Sequence, residues 1–328
     1  MTQQYKTRIN PNVRSIFMNQ KRYGDMGGTT EMMRLIYAQL YAGYRPAIVS
    51  ADPTSSRLTS IFGQRDATGR ILPAGQQEMG KGVNAITLKE YGSLADALSS
   101  YDGDMVIDFK GGEQEDVFSM FGSLGQLLDG IDDAEFFFPM SVKDLGKSFE
   151  NIEEERQALA SVSSKVHLIR IFSLGMCGDT FARAEVLKKY NEYMEDPSHV
   201  YPSNVDITTV VFDTKFGNKP LQDWFDNNDA RANSYTEKGA VRMVGAQFLN
   251  EGDKFWINYL FNNQSLAGYY NPTEFDRLRQ LPNWQTPTNP DDCWGKIIDP
   301  ANHPAWLANR RAAQQAAIEP VKDVKSKK

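Results

Sequence analysis

The chain has 328 residues, 41% of them hydrophobic and 24% charged, which is long enough to bury a substantial core. A formal net charge of −6 and a pI near 5.3 exclude a global basic field that would draw it to nucleic acid or an anionic membrane. No apolar run approaches the ~20 residues of a membrane span, the opening MTQQYKTRINPNV carries no apolar signal core, and two distant cysteines, Cys177 and Cys293, predict a reducing, cytoplasmic setting rather than a disulfide framework.

In chain order, short apolar runs alternate with amphipathic stretches, the pattern of α/β folds with a mostly parallel sheet. SIFMN (15–19) reads as the first strand. A glycine-rich turn follows it, then a helix from about 30 to 42. Met33, Ile36, Tyr37 and Leu40 share one face of that helix, and Gly43 suits its C-terminal cap. PAIVSADP (46–53) is a second strand ending in a loop. SLADALSSYDG (93–103) reads as a short helix capped by Ser93, and DMVIDFKGG (104–112) as a buried strand followed by glycines. AEFFFPM (134–140) and KVHLIRIFSLG (165–175) are further strands, with a helix over 148–162 between them. A helix over 179–194 and a strand over 206–213 extend the alternation. Beyond about 250 the texture turns aromatic, Asn-rich and Pro-rich without a clear period, which predicts an irregular C-terminal extension over 251–328 on a main domain of 1–250.

Three strand-end features coincide. Gly24, Asp25, Met26, Gly27, Gly28, Thr29 and Thr30 follow the first strand, Asp52 follows the second, and Asp108 ends MVID. A glycine turn opening a helix offers backbone N–H groups and the helix N-terminus to phosphate. A hydroxyl with an acid suits Mg²⁺, and a further acid suits the positioning of water.

NQK…GDMGGTT, IVSADPTSSRLTSIFG and YDGDMVIDFKGG resemble the three nucleotide motifs of the ParA/MinD group of deviant P-loop ATPases, which includes plasmid-partition proteins and related stability and transfer proteins of conjugative plasmids. The resemblance is best over 15–63 and 101–112. It implies a P-loop NTPase-like fold and a site for ATP and Mg²⁺. In that site Thr29 and Asp108 hold the metal, Asp52 positions water, and Lys21 with residues 24–30 receives the phosphates. The family's loop reads Lys-Gly-Gly-x-Gly-Lys-Thr-Thr. Here Gly28 occupies the position of its second lysine, and the first, signature lysine corresponds either to Tyr23 or to Lys21 displaced by two extra residues. Ser50 replaces the first acid of the usual Asp-x-Asp-Pro.

Loss of one phosphate-facing charge implies a rate lower by roughly 10²–10³, by analogy with removing one preorganised donor. Lys21 or Arg22 is a candidate to compensate. In the resembled family the signature lysine crosses to the other subunit of an ATP-driven dimer. A tyrosine there offers no positive charge, so self-association here is expected to rest on protein surface and to be insensitive to ATP.

The remaining chemistry is sparse. His167 reads as a satisfied strand histidine, His199 and His303 as loop residues beside proline, and Cys177 as a small buried residue; no spacing suits zinc. The aromatic extension lacks interleaved cations and reads as core or protein interface rather than a base-stacking surface. Arg310, Arg311, Lys322, Lys325, Lys327 and Lys328 form a weak basic end, read as a solubilising tail through which any DNA contact is slight or indirect.

The leading expectation is therefore a ParA-like protein for partition or positioning of plasmid or chromosomal cargo, working with a protein partner and with slow or atypical ATP hydrolysis. The alternative is a pseudo-ATPase scaffold that binds no nucleotide. A small-molecule transferase on the same fold, as in dethiobiotin synthetase, is disfavoured because it too needs the missing lysine.

Overall fold

In a computed structural model of the chain, the described residues are 6–19, 27–51, 57–86, 91–111, 123–177, 180–215, 224–225, 228–230 and 239–260. Seven strands form one all-parallel sheet: β1 (Arg14–Met18), β2 (Ala47–Ala51), β3 (Val83–Ala85), β4 (Met105–Phe109), β5 (Ala134–Ser141), β6 (Val166–Ser173) and β7 (Val205–Phe212). Their spatial order is β3-β2-β4-β1-β5-β6-β7. Every residue of β1, β2 and β4 is buried, which is why these strands read as mostly apolar runs rather than as alternation.

The helices among the described residues are α1 (Gly28–Tyr41), α2 (Arg57–Phe62), α3 (Tyr91–Ser100), α4 (Leu124–Asp129), α5 (Lys147–Leu159), α6 (Leu174–Cys177), α7 (Thr180–Glu195) and α8 (Gly239–Leu260). They cover both faces of the sheet, giving the doubly wound arrangement of P-loop NTPase-like folds. Phe17, Ile48, Val106 and Ile171 point to one face, where Leu35 and Ile36 of α1 meet Phe248 and Trp256 of α8. Ile16, Val49, Ile107 and Leu168 point to the other, against Leu94 and Leu98 of α3, Leu128 of α4 and Leu159 of α5. This split follows from the two-residue period of a strand. None of the helices in the described residues is long and apolar enough to cross a membrane.

The expected strands and helices are present, with shifted ends. The helix expected to be capped by Ser93 begins two residues earlier, at Tyr91, so Ser93 lies inside it. The strand expected to reach residue 175 stops at Ser173, and Leu174–Cys177 turns into a short helix. Pro139 is tolerated inside β5 because the pairing with β1 ends at Phe137, so that side of the strand needs no donor there.

The largest difference lies in α8, which runs through the expected boundary at 250/251 and ends at Leu260. Residues 251–260, expected to be irregular, are helical there, and Trp256 is fully buried, edge-on to Phe17 at 6.4 Å. Burial of Phe248, Leu249, Gly252, Trp256 and Ile257 along one stripe of α8 explains the helix. The rest of the extension, with Cys293, His303 and the basic end, lies outside the described residues.

The order of connections places the site. From β1 the chain crosses to β2 on one side, while β5 lies on the other side of β1 and leads away from it. Such a reversal opens a crevice at the carboxyl ends of the strands. Asn19, Asp108 and Ser141 stand at those ends.

Candidate functional site

Asp108 is the fourth residue of β4 and is 1% exposed. A carboxylate taken out of water is costly unless its oxygens are hydrogen-bonded. Here Oδ2 accepts from the Thr29 hydroxyl at 2.8 Å, and Oδ1 accepts from the Asn19 amide. Asn19 is itself fixed twice: its side-chain oxygen accepts the Phe109 N–H at 2.7 Å, and its own N–H donates to the Ile107 carbonyl at 3.3 Å. One polar residue directly after β1 thus clamps the end of β4 and aims the Asp108 carboxylate at the first turn of α1.

That turn is opened by Gly27, the N-cap of α1, at φ +77° and ψ 7°. Left-handed backbone already favours glycine, and crowding adds to it. A Cβ on Gly27 would stand 2.5 Å from Met176 Sδ, 2.9 Å from Met176 Cε and 3.3 Å from Ser141 Oγ. Among the described residues no side chain caps the helix. The Glu31 N–H donating to Gly27 at 3.1 Å is the first backbone bond of the helix, and the N–H groups before it have no partner within the helix. A glycine cap, the first-turn amides and the positive end of a 14-residue helix form an anion-favouring surface.

Three further groups border this surface. Arg57, the first residue of α2, places Nη1 3.4 Å from the Thr30 hydroxyl. Ser141, at the end of β5, is 2% exposed, and its hydroxyl has no hydrogen-bond partner among the described residues. Gly28, the first residue of α1, is buried and contributes no side chain where the resembled family has lysine. One turn further along α1, Glu31 and Arg34 form a buried ion pair at 3.1 Å. Burial raises the Glu31 pKa, and the Arg34 charge opposes that rise.

Of the expected site residues, the structure brings Thr29 and Asp108 into contact and sets Gly27, Gly28 and Thr30 beside them. Lys21, Gly24, Asp25, Met26 and Asp52, with Tyr23, lie outside the described residues. Asn19, Arg57 and Ser141 were not anticipated. Asn19 carried a signal, a lone amide closing an apolar strand, whereas Arg57 and Ser141 meet the loop only through the topology. Among the described residues no three His, Cys, Asp or Glu side chains cluster to hold a metal. His167 is satisfied as expected: it pairs with Glu135 at 2.9 Å and stacks on Phe137 at 4.4 Å. Cys177 is buried, which pushes its thiol pKa up, and it donates to the Val142 carbonyl at 3.6 Å.

Neither a protein-family model nor a curated protein matches the sequence. Among solved structures, that of pNOB8 ParA bound to nonspecific DNA is similar over 74% of this chain and 100% of that chain, with 12% sequence identity and a TM-score of 0.36.

Proposed function

We propose that the chain binds ATP with Mg²⁺ at the carboxyl ends of β1 and β4. On this reading it is a ParA-like protein that partitions or positions plasmid or chromosomal cargo with a protein partner, and it hydrolyses ATP slowly or atypically. The observation that carries the reading is the 2.8 Å contact between the Thr29 hydroxyl and the Asp108 carboxylate, beneath the glycine cap of α1. The pair fits Mg²⁺, because a hydroxyl and a carboxylate are hard oxygen donors and this ion takes few protein ligands beside phosphate oxygens and water. When bound, Mg²⁺ neutralises phosphate charge and orients the phosphates. The chain's own contribution is to hold the donors: Asn19 fixes the Asp108 carboxylate, Gly27 opens the turn, and first-turn amides of α1 face the anion.

The side-chain-free Gly28 favours a second reading, a pseudo-ATPase scaffold without nucleotide. Titration of ATP–Mg²⁺ into the wild-type protein and into Thr29→Val separates the two. The nucleotide site requires binding by the wild type and clear weakening by the variant, which keeps the shape of threonine and loses its oxygen. No binding by either protein favours the scaffold.

A further inference from the structure

We propose that Arg57 supplies the phosphate-facing positive charge that the loop lacks at Gly28. The inference rests on the nucleotide reading of the same site and adds one residue with one role. Phosphoryl sites work through positioning and electrostatic stabilisation, so a loop without its lysine needs a cation from elsewhere. Arg57 is the first residue after the connection that leaves β2, and its guanidinium arrives over the first turn of α1, 3.4 Å from the Thr30 hydroxyl. Packing fixes that approach: Leu58, Ile61 and Phe62 of α2 are buried in the core that also holds α1. Arg57 itself stays partly exposed, so its charge is held beside the first turn of α1 without full desolvation.

The two threonines divide the site between them. Successive residues of a helix point about 100° apart. Thr29 turns to the Asp108 carboxylate, where oxygen donors suit a metal, and Thr30 turns to the Arg57 guanidinium. Acid and cation therefore flank the same helix N-terminus from two sides. A guanidinium is always charged and presents a planar fork of five donors that matches phosphate oxygens. The buried Ser141 hydroxyl near Gly27, without a hydrogen-bond partner among the described residues, is an independent sign that this surface takes a polar partner, since leaving such a group unsatisfied is costly.

The test is calorimetric titration of the full chain with ATP–Mg²⁺, ADP–Mg²⁺ and adenosine, for the wild type, Arg57→Gln and Arg57→Lys. Glutamine retains a donor for Thr30 and removes the charge, and thermal melting reports whether each variant is folded. Arg57→Gln is expected to weaken ATP–Mg²⁺ binding by roughly tenfold or more, the scale of a lost charge-assisted hydrogen bond. The loss should be larger for ATP than for ADP and nil for adenosine, with Arg57→Lys recovering part of it. A folded Arg57→Gln with wild-type ATP affinity overturns the role of Arg57 and leaves the nucleotide site standing. A wild type that binds none of the three at about millimolar ligand overturns the nucleotide site and this role with it.

Discussion

Gly27→Ala separates two physical demands on one residue. The first is backbone: at φ +77° a side chain costs roughly 1–2 kcal/mol. The second is space, since the new Cβ would stand 2.5 Å from Met176 Sδ. Methionine is flexible, so the clash resolves by moving that side chain off its preferred rotamer, at about 0.5–1.5 kcal/mol. Together the substitution should destabilise by about 2–3 kcal/mol and lower the melting temperature by several degrees. A double-mutant cycle with Met176→Ala divides the two contributions. In the Met176→Ala background Gly27→Ala should still cost roughly 1–2 kcal/mol in chemical denaturation, because the backbone demand remains. A neutral Gly27→Ala, or one whose whole cost disappears with Met176, would refute the left-handed turn at the start of α1. Affinity for ATP should fall in Gly27→Ala even where folding is intact, since the same turn aims the first-turn amides.

Gly252→Ala on α8 should destabilise by roughly 2–3 kcal/mol in denaturant titration although alanine is the better helix former. Its Cβ would meet Arg34 Cγ at 2.1 Å, and Arg34 cannot withdraw, being held by Glu31 and sandwiched between Phe212 and Phe248 at 4.0 and 4.3 Å. Asp104, 2% exposed, has its pKa raised from 3.8 to about 6 by burial, against the N–H donors of Ser15 and Ile9. The folded state therefore holds this proton more tightly than the unfolded chain, so its contribution to stability falls as pH rises from about 4 to about 6, by up to roughly 3 kcal/mol. Asp104→Asn should flatten that segment of the stability profile, and an unchanged slope would contradict the burial assignment. Gly28→Lys should tighten ATP binding or speed hydrolysis by returning a cation to the loop; a folded variant unchanged in both would mean that Gly28 is not the equivalent of the family's lysine.

The parallel sheet was legible because strands buried on both faces appear as continuous apolar runs bounded by turn residues, as in MVID and PAIVS. Strand β3, three residues long, is too short to show a period, and α4 and α2, at six residues each, are too short to carry a full amphipathic pattern. Helix α8 was hidden by Asn250 and Gly252, which break the helical signal locally. The glycine is there because Arg34 of α1 fills the space its side chain would occupy, a tertiary fact with no local trace. The candidate site was half legible for the same reason. Thr29 and Asp108 sit in recognisable strand-end stretches, whereas the contacts of Asn19, Arg57 and Ser141 depend on which strands end side by side.

The central claim is a metal-assisted nucleotide site built on Thr29 and Asp108. Calorimetric titration of the full chain with ATP, once with Mg²⁺ and once with EDTA, addresses it directly. The expected result is saturable binding that weakens markedly when Mg²⁺ is withdrawn. Absence of binding at about millimolar ATP, or an affinity indifferent to Mg²⁺, would contradict it.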